Sequence, residues 1–108
     1  MGDLAKVRVD AGAVIWRRAG RLASRRIAGE TILVPIRGDA AQLDSVFTLN
    51  PVAATIWNAL ARPADEESLA ARVVAEFEVD APAARNDVRS FLRALAEEGL
   101  VEPEEATP

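Results

Sequence analysis

The sequence contains no cysteine, no histidine and no tyrosine. Without cysteine the chain can form neither a disulfide nor a reactive thiolate, so a reducing cytoplasm is the natural setting. These three absences also remove most of the nucleophiles, metal ligands and acid–base groups that work near neutral pH. We therefore expect a binding protein rather than an enzyme, with no catalytic residues, no metal site and no bound cofactor.

Long apolar runs are absent as well. No stretch of about 18 apolar residues occurs, so we expect no membrane span and no membrane partner, and the N-terminus lacks the continuous apolar core of a secretory signal. The length of 108 residues suits one domain with a single modest core. We expect this domain to span residues 1–108, with a core over about 24–102, a flexible N-terminal segment and a polar C-terminal tail.

Charge is unevenly distributed along the chain. Residues 1–50 carry eight basic and five acidic side chains, whereas residues 51–108 carry five basic and twelve acidic ones, for a formal net charge of −4. Such asymmetry can mark an interaction surface. The acidic net charge disfavours sequence-independent nucleic-acid binding, which depends on neutralising phosphates.

The first half of the chain shows strand patterns. The stretch "RRIAGETILVPI" is typical of a hairpin that turns at Ala28-Gly29. Within it, Pro35 favours a sheet edge or a strand end, because proline cannot donate a ladder hydrogen bond. After a polar loop over 37–44, "SVFTL" (45–49) predicts a third short strand. Two further short strands are predicted at Val14–Trp16 and at "LVE" (100–102).

Three helical patterns follow. Asn50-Pro51 begins the first helix, because the asparagine side chain can accept from a free amide of the first turn and proline needs no donor there. The second runs from about Glu66 to Phe77. The third, about Ala81–Glu98, follows a capping Asp80 and ends at Gly99. Its apolar stripe consists of Ala84, Val88, Phe91, Leu92 and Leu95.

Neither the strands nor the helices can bury their apolar faces alone. The helices must therefore pack on the sheet. The predicted fold class is α+β, a three-stranded antiparallel sheet packed on three helices.

The third strand is the first candidate binding site. A sheet this small leaves at least one strand edge unpaired, and such edges are either blunted or used. This strand, Ser45, Val46, Phe47, Thr48 and Leu49, carries no charge and no proline. An extended peptide could add beside it through main-chain hydrogen bonds. The alternative is that these residues only fill the core beside the first helix.

An arginine row on the third helix is the second candidate site. Arg85, Arg89 and Arg93 are four residues apart, which aligns them along the helix. They are either a solvated row or a comb for a partner's carboxylates, a role for which arginine is well suited. In the second interpretation the row is one wall of a groove and the third strand is the other. Leu92 and, on the groove floor, Val88 complete this predicted site.

Two stretches of the sequence resemble the PqqD-like family of peptide-recognition domains. They are "FTLNPVAATIWNAL" and "ESLAARVVAEFEVDAPAARNDVRSFLRALAEEGLVE". The resemblance covers about residues 24–102. The features that carry it are Leu49-Asn50, Ile56-Trp57, Val79-Asp80, Asp87-Val88 followed by Phe91-Leu92, and Leu95 to Gly99-Leu100.

The resemblance implies a winged-helix-like fold and a role in the pathways of ribosomally made, post-translationally modified peptides. In this family the leader peptide of a precursor adds antiparallel to the third strand and lies against the third helix. The protein acts as a chaperone-like adaptor for a modifying enzyme, often a radical SAM enzyme, and for the founding member the product is pyrroloquinoline quinone. The expected partners are therefore a leader peptide and a radical SAM enzyme, with a homodimer through the open strand edge as a further expectation.

Two other function classes stay open at the level of the sequence. An arginine row on a third helix is also typical of a winged-helix DNA-binding protein, although the net charge and the acidic end of the helix at Glu97 and Glu98 disfavour nucleic acid as a partner. The other class is a structural or dimerisation module without a peptide ligand.

Overall fold

The computed structural model describes residues 14–104. In chain order its elements are β1 (Ile15–Arg18), β2 (Arg21–Ile27), β3 (Glu30–Arg37), β4 (Ala40–Ala41), a 3-10 turn (Leu43–Ser45), β5 (Phe47–Leu49), α1 (Pro51–Ala59), β6 (Ala64–Asp65), α2 (Glu66–Glu76), α3 (Ala81–Glu97) and β7 (Val101–Pro103). The predicted N-terminal segment and C-terminal tail concern mostly residues 1–13 and 105–108, which lie outside the described residues. Strand β1 precedes residue 24, so the described fold extends beyond the predicted core on that side.

The main antiparallel sheet consists of β2, β3 and the successive strands β4 and β5. β2 pairs with β3 from Arg21 opposite Ile36 to Ile27 opposite Glu30. The predicted turn at Ala28-Gly29 joins them, and its φ angles of 53° and 84° are those of the type I′ turn that matches the twist of a hairpin. β4 and β5 both pair with the other side of β3. The predicted class is confirmed: an α+β, winged-helix-like fold in which this sheet packs on three helices.

Pro35 causes the break between β4 and β5. Its carbonyl accepts a hydrogen bond from the Gln42 amide at 2.8 Å, but proline has no N–H to donate in return. The Gln42 carbonyl instead accepts from the Ser45 amide at 3.0 Å, which closes the 3-10 turn. The prediction that Pro35 lies at a sheet edge or a strand end is therefore wrong. It is buried in the central strand. The missing N–H leaves no acceptor unpaired, because the Gln42 carbonyl bonds to Ser45 instead.

A second small sheet, in the order β6-β1-β7, joins the N-terminal and C-terminal parts of the fold. The short strands predicted at Val14–Trp16 and 100–102 are present, each shifted by one or two residues, but their pairing and β6 were not predicted. Gly20 connects the two sheets at a φ of +70°, and a Cβ there would lie 2.6 Å from the Gly99 carbonyl oxygen. Only glycine fits this close approach.

Side-chain caps fix the start of every helix in the described range. Asn50 Oδ1 accepts from the Ala53 amide at 2.8 Å and Asp80 Oδ1 accepts from the Ala83 amide at 2.9 Å, as predicted. The cap of α2 by Asp65 was not predicted. The hydrophobic core that the sheet and helices enclose contains Leu33, Leu49, Ile56, Trp57, Leu60, Leu69, Val73, Val88, Leu92 and Leu95. No helix between residues 14 and 104 is long and apolar enough to cross a bilayer.

Candidate functional site

β5 has a free edge. One side of β5 pairs with β3, with Leu49 opposite Thr31, and no strand within residues 14–104 pairs with its other side. The Pro35 carbonyl faces β4. The odd-numbered residues of β3 therefore direct their main-chain groups toward β4 and β5. Main-chain groups alternate along a strand. Phe47 and Leu49 therefore bond to β3, and the N–H and C=O of Thr48 point to the free edge.

The extended segment begins at Val46. Ser45 belongs to the 3-10 turn, so the prediction that it is a strand residue is wrong. Val46 has φ −71° and ψ 134°, and the residue is 39% exposed. Thr48 is exposed as well, whereas Leu49 is buried and Phe47 packs against the core. The side chains of Phe47 and Leu49 thus hold β5 to the core, and the main-chain groups of Thr48 point outward at the free edge.

A cavity of about 310 Å³ adjoins the end of β5. It lies between the first turns of α1 and one flank of α3, and its lining residues are Asn50, Val52, Ala53, Ile56, Asp87, Ser90 and Phe91. Asn50 follows β5 directly, and its cap on α1 holds the strand end and the helix start in one geometry. A fixed geometry lowers the ordering cost of binding. Two other cavities, about 410 and 390 Å³, lie around Gly20 and Arg21, and Asn50 lines neither of them.

The arginine row lies on the other flank of α3. Arg85 lines a groove of about 330 Å³ together with Val74 of α2, and Arg89 Nη2 forms an ion pair with Glu66 Oε1 of α2 at 3.3 Å. Arg93, next in the row, is exposed. Arg85 and Arg89 thus lie beside α2 rather than facing the third strand, and a peptide contact of the row stays a prediction. Spacing by four aligns the arginines but does not determine which neighbour they face.

The centre of the apolar stripe of α3 is used in core packing. Val88 and Leu92 are 0% and 1% exposed, so their side chains pack in the core, and their contact with a peptide stays a prediction. Phe91, at the margin of the stripe, is half-buried and lines the cavity with Asp87 and Ser90. Sequence reasoning assigned Phe91 to the core and did not select its two neighbours. Two signals could have found them: the position of Asp87 and Ser90 beside the stripe, and the place of Asp87 in the family resemblance.

The fold and the free edge are those of a small winged-helix-like recognition domain. Comparison with protein families identifies it further, because residues 30–101 match the family described as Coenzyme PQQ synthesis protein D (PqqD). This match covers about two thirds of the sequence, and the chain belongs to the PqqD family. The resemblance stated from the sequence is thereby confirmed.

Two solved structures are similar to this chain. The structure of TbiB1 in complex with the TbiA(beta) leader peptide is 28% identical, has a TM-score of 0.64, and matches over 83% of this chain and 99% of that chain. The structure of lasso peptide synthetase B1 complexed with the leader peptide is 21% identical, has a TM-score of 0.63, and matches over 82% and 98% of the two chains. At 21% identity, the lasso peptide synthetase B1 structure shows that the two chains share a fold. No curated protein sequence matches.

Proposed function

We propose that this chain is a non-catalytic adaptor that binds the leader peptide of a ribosomally made precursor and presents the precursor to a modifying enzyme. The observation that carries the proposal is the free edge of β5, which lies beside a cavity between α1 and α3. Membership of the PqqD family and the similarity to a protein solved with a leader peptide support it.

Binding proceeds by strand addition at β5. The leader peptide runs antiparallel to the strand, and its main-chain groups bond to the outward groups of Thr48 and Val46. Side chains of an extended peptide alternate between two faces. Those opposite Phe47 and Leu49 lie on the helical side of the sheet and meet the cavity, whereas those opposite Thr48 lie on the outer face.

The modifying enzyme, as the family implies, is a radical SAM enzyme, and the product is pyrroloquinoline quinone or another peptide-derived compound. A pull-down with the radical SAM enzyme encoded nearest to this chain's gene tests whether that enzyme is the partner. Mass spectrometry of the precursor, after incubation with the enzyme in the presence and absence of this chain, tests what the product is. An enzyme that neither binds this chain nor works faster with it would remove this part of the proposal.

The strand addition itself is tested by backbone amide NMR. We expect the TbiA(beta) leader, or a leader encoded near this chain's gene, to shift amides of 46–50 and of the α3 flank at Asp87–Phe91. Two versions of the peptide, N-methylated on alternate sets of residues, are the matched controls. Only one set faces β5 in an antiparallel pair, so one version should lose binding and the other should keep it. Equal loss in both would contradict strand addition.

The winged-helix DNA-binding alternative has no comparable support. Arg85 lines a groove with α2, and Arg89 is already paired with Glu66. A gel shift with mixed-sequence duplex at low salt is expected to show no complex.

A further inference from the structure

The cavity beside β5 has an apolar wall with one charged group. Val52, Ala53, Ile56 and Phe91 supply the apolar surface, and Asp87 is the only charged residue among those that line the cavity. None of the ion pairs formed within residues 14–104 involves Asp87. Its carboxylate is therefore available to a ligand. Asp87 is exposed, so an ion pair with it contributes the modest free energy of a surface pair.

Neither residues 43–50 nor the lining of the cavity includes a basic residue. Between residues 43 and 50 the only charged side chain is Asp44, in the 3-10 turn that leads into β5. The arginine row is on the other flank of α3, where Arg85 faces α2 and Arg89 pairs with Glu66. A peptide on the free edge therefore has a carboxylate near each end of the strand, and residues 43–50 and the cavity lining offer it no guanidinium.

The direction of the bound peptide determines which of its residues reach the cavity. In an antiparallel pair the N-terminal part of the peptide segment lies opposite the C-terminal end of β5. That end is Leu49, and Asn50 of the cavity follows it. The cavity therefore receives a side chain from the N-terminal part of the segment that pairs with β5.

We infer that this cavity selects a leader peptide that places an apolar side chain against Phe91 and Val52 and, next to it, a lysine or arginine that pairs with Asp87. This inference rests on the proposed function and specifies the class of leader. The cavity selects a basic side chain, whereas the arginine comb predicted from the sequence would select acidic ones. A volume of about 310 Å³ accommodates a side chain of the size of leucine or phenylalanine.

The test is a selection from a phage library of random linear 12-residue peptides. The library is panned against the whole wild-type chain and against Asp87→Asn, Asp87→Lys and Glu67→Gln. Glu67→Gln is the matched control, because it neutralises one carboxylate on the rim of the α2–α3 groove. Enriched peptides are synthesised, and only those that shift the amides of β5 are scored. Their dissociation constants are then measured on all four proteins.

We expect peptides selected on the wild type to carry a basic residue at a fixed spacing from an apolar one. Asp87→Asn should weaken their binding about 2- to 5-fold, as loss of one exposed ion pair implies. Asp87→Lys should enrich acidic residues at the same position, and Glu67→Gln should leave affinity and consensus unchanged. Peptides that add to β5 with no charge preference, or with one unaffected at Asp87, would overturn the inference and leave the proposed function intact. If no selected peptide shifts β5, both are overturned.

Discussion

Arg18 links the second sheet to the helical layer through one side chain. Its guanidinium lies over the Trp57 ring, with Cζ 4.0 Å from the ring centroid, and it donates a hydrogen bond to the Trp57 carbonyl. Burial lowers the pKa of Arg18, but a guanidinium stays charged in a folded protein. The neighbouring Arg17 instead forms an exposed ion pair with Glu102. Two adjacent arginines thus offer a matched comparison.

We predict that Arg18→Ala lowers the free energy of unfolding by about 1–2 kcal/mol, because a cation–π contact and a charge-assisted hydrogen bond are lost. Arg17→Ala should cost less than about 1 kcal/mol, as is usual for exposed pairs. Urea unfolding followed by tryptophan fluorescence measures both. Equal losses in the two variants would show that the stacking on Trp57 contributes nothing beyond surface charge.

The cap of α2 is an element whose contribution depends on pH. Asp65 Oδ1 accepts from the Ser68 amide at 2.8 Å, and this bond, followed by one with the Ser68 side chain, lowers the pKa of Asp65 below its usual 3.8. A lowered pKa means that the stabilisation is fully present at neutral pH and is lost as pH falls below about 3.8 and through the folded-state pKa.

We predict that Asp65→Ala costs about 1 kcal/mol at pH 7 and progressively less in acid. Asp65→Asn keeps a capping oxygen without a titrating group, so it should lose less at pH 7 and show a weaker dependence on pH. Thermal unfolding of the three proteins between pH 2.5 and 7 makes the comparison. An Asp65→Ala deficit that stays constant over this range would contradict the assigned cause.

The free edge of β5 can be blocked without disturbing its pairing with β3. The N–H of Thr48 points to the edge and its side chain is exposed, so proline is tolerated there in the folded chain. We predict that Thr48→Pro weakens leader binding at least about 10-fold, since it removes an outward donor and adds a ring to the edge. Thr48→Val keeps the N–H and should bind within about twofold of wild type. Calorimetric titration measures binding, and circular dichroism checks the fold. Equal affinities of the two variants would mean that the peptide binds elsewhere.

Local chemistry made some elements predictable and left others hidden. The caps at Asn50 and Asp80 and the turn at Ala28-Gly29 depend on residues a few positions apart, so the sequence alone identifies them. The break at Pro35 depends on which strand lies beside it, and strands of two to four residues give almost no periodic signal. The arginine row is aligned by its spacing, but both flanks of an apolar stripe look alike until the neighbouring helix is known. The difference between the predicted and the observed neighbours of the row follows from that ambiguity.

At the scale of the whole molecule, the free edge raises the question of a second copy. β5 has three residues, so an antiparallel pair of two β5 strands would share few hydrogen bonds. Its contact would fall well below the roughly 1,000 Å² of a stable interface. A leader peptide gains the same main-chain bonds and adds the contacts of the cavity at α1 and α3. The free edge of β5 should therefore bind a leader peptide more tightly than it binds a second copy of the chain.

We predict that the chain alone is monomeric at about 100 μM and that it stays monomeric when a leader peptide is added. We expect a monomer because two paired β5 strands would bury less area than a stable interface needs. Light scattering after gel filtration gives the mass, and Thr48→Pro is the control. A wild-type dimer that Thr48→Pro abolishes and that the leader peptide dissociates would show that the edge pairs with itself, so self-association would compete with the precursor. A dimer unaffected by both would place the contact on another surface and leave the edge free.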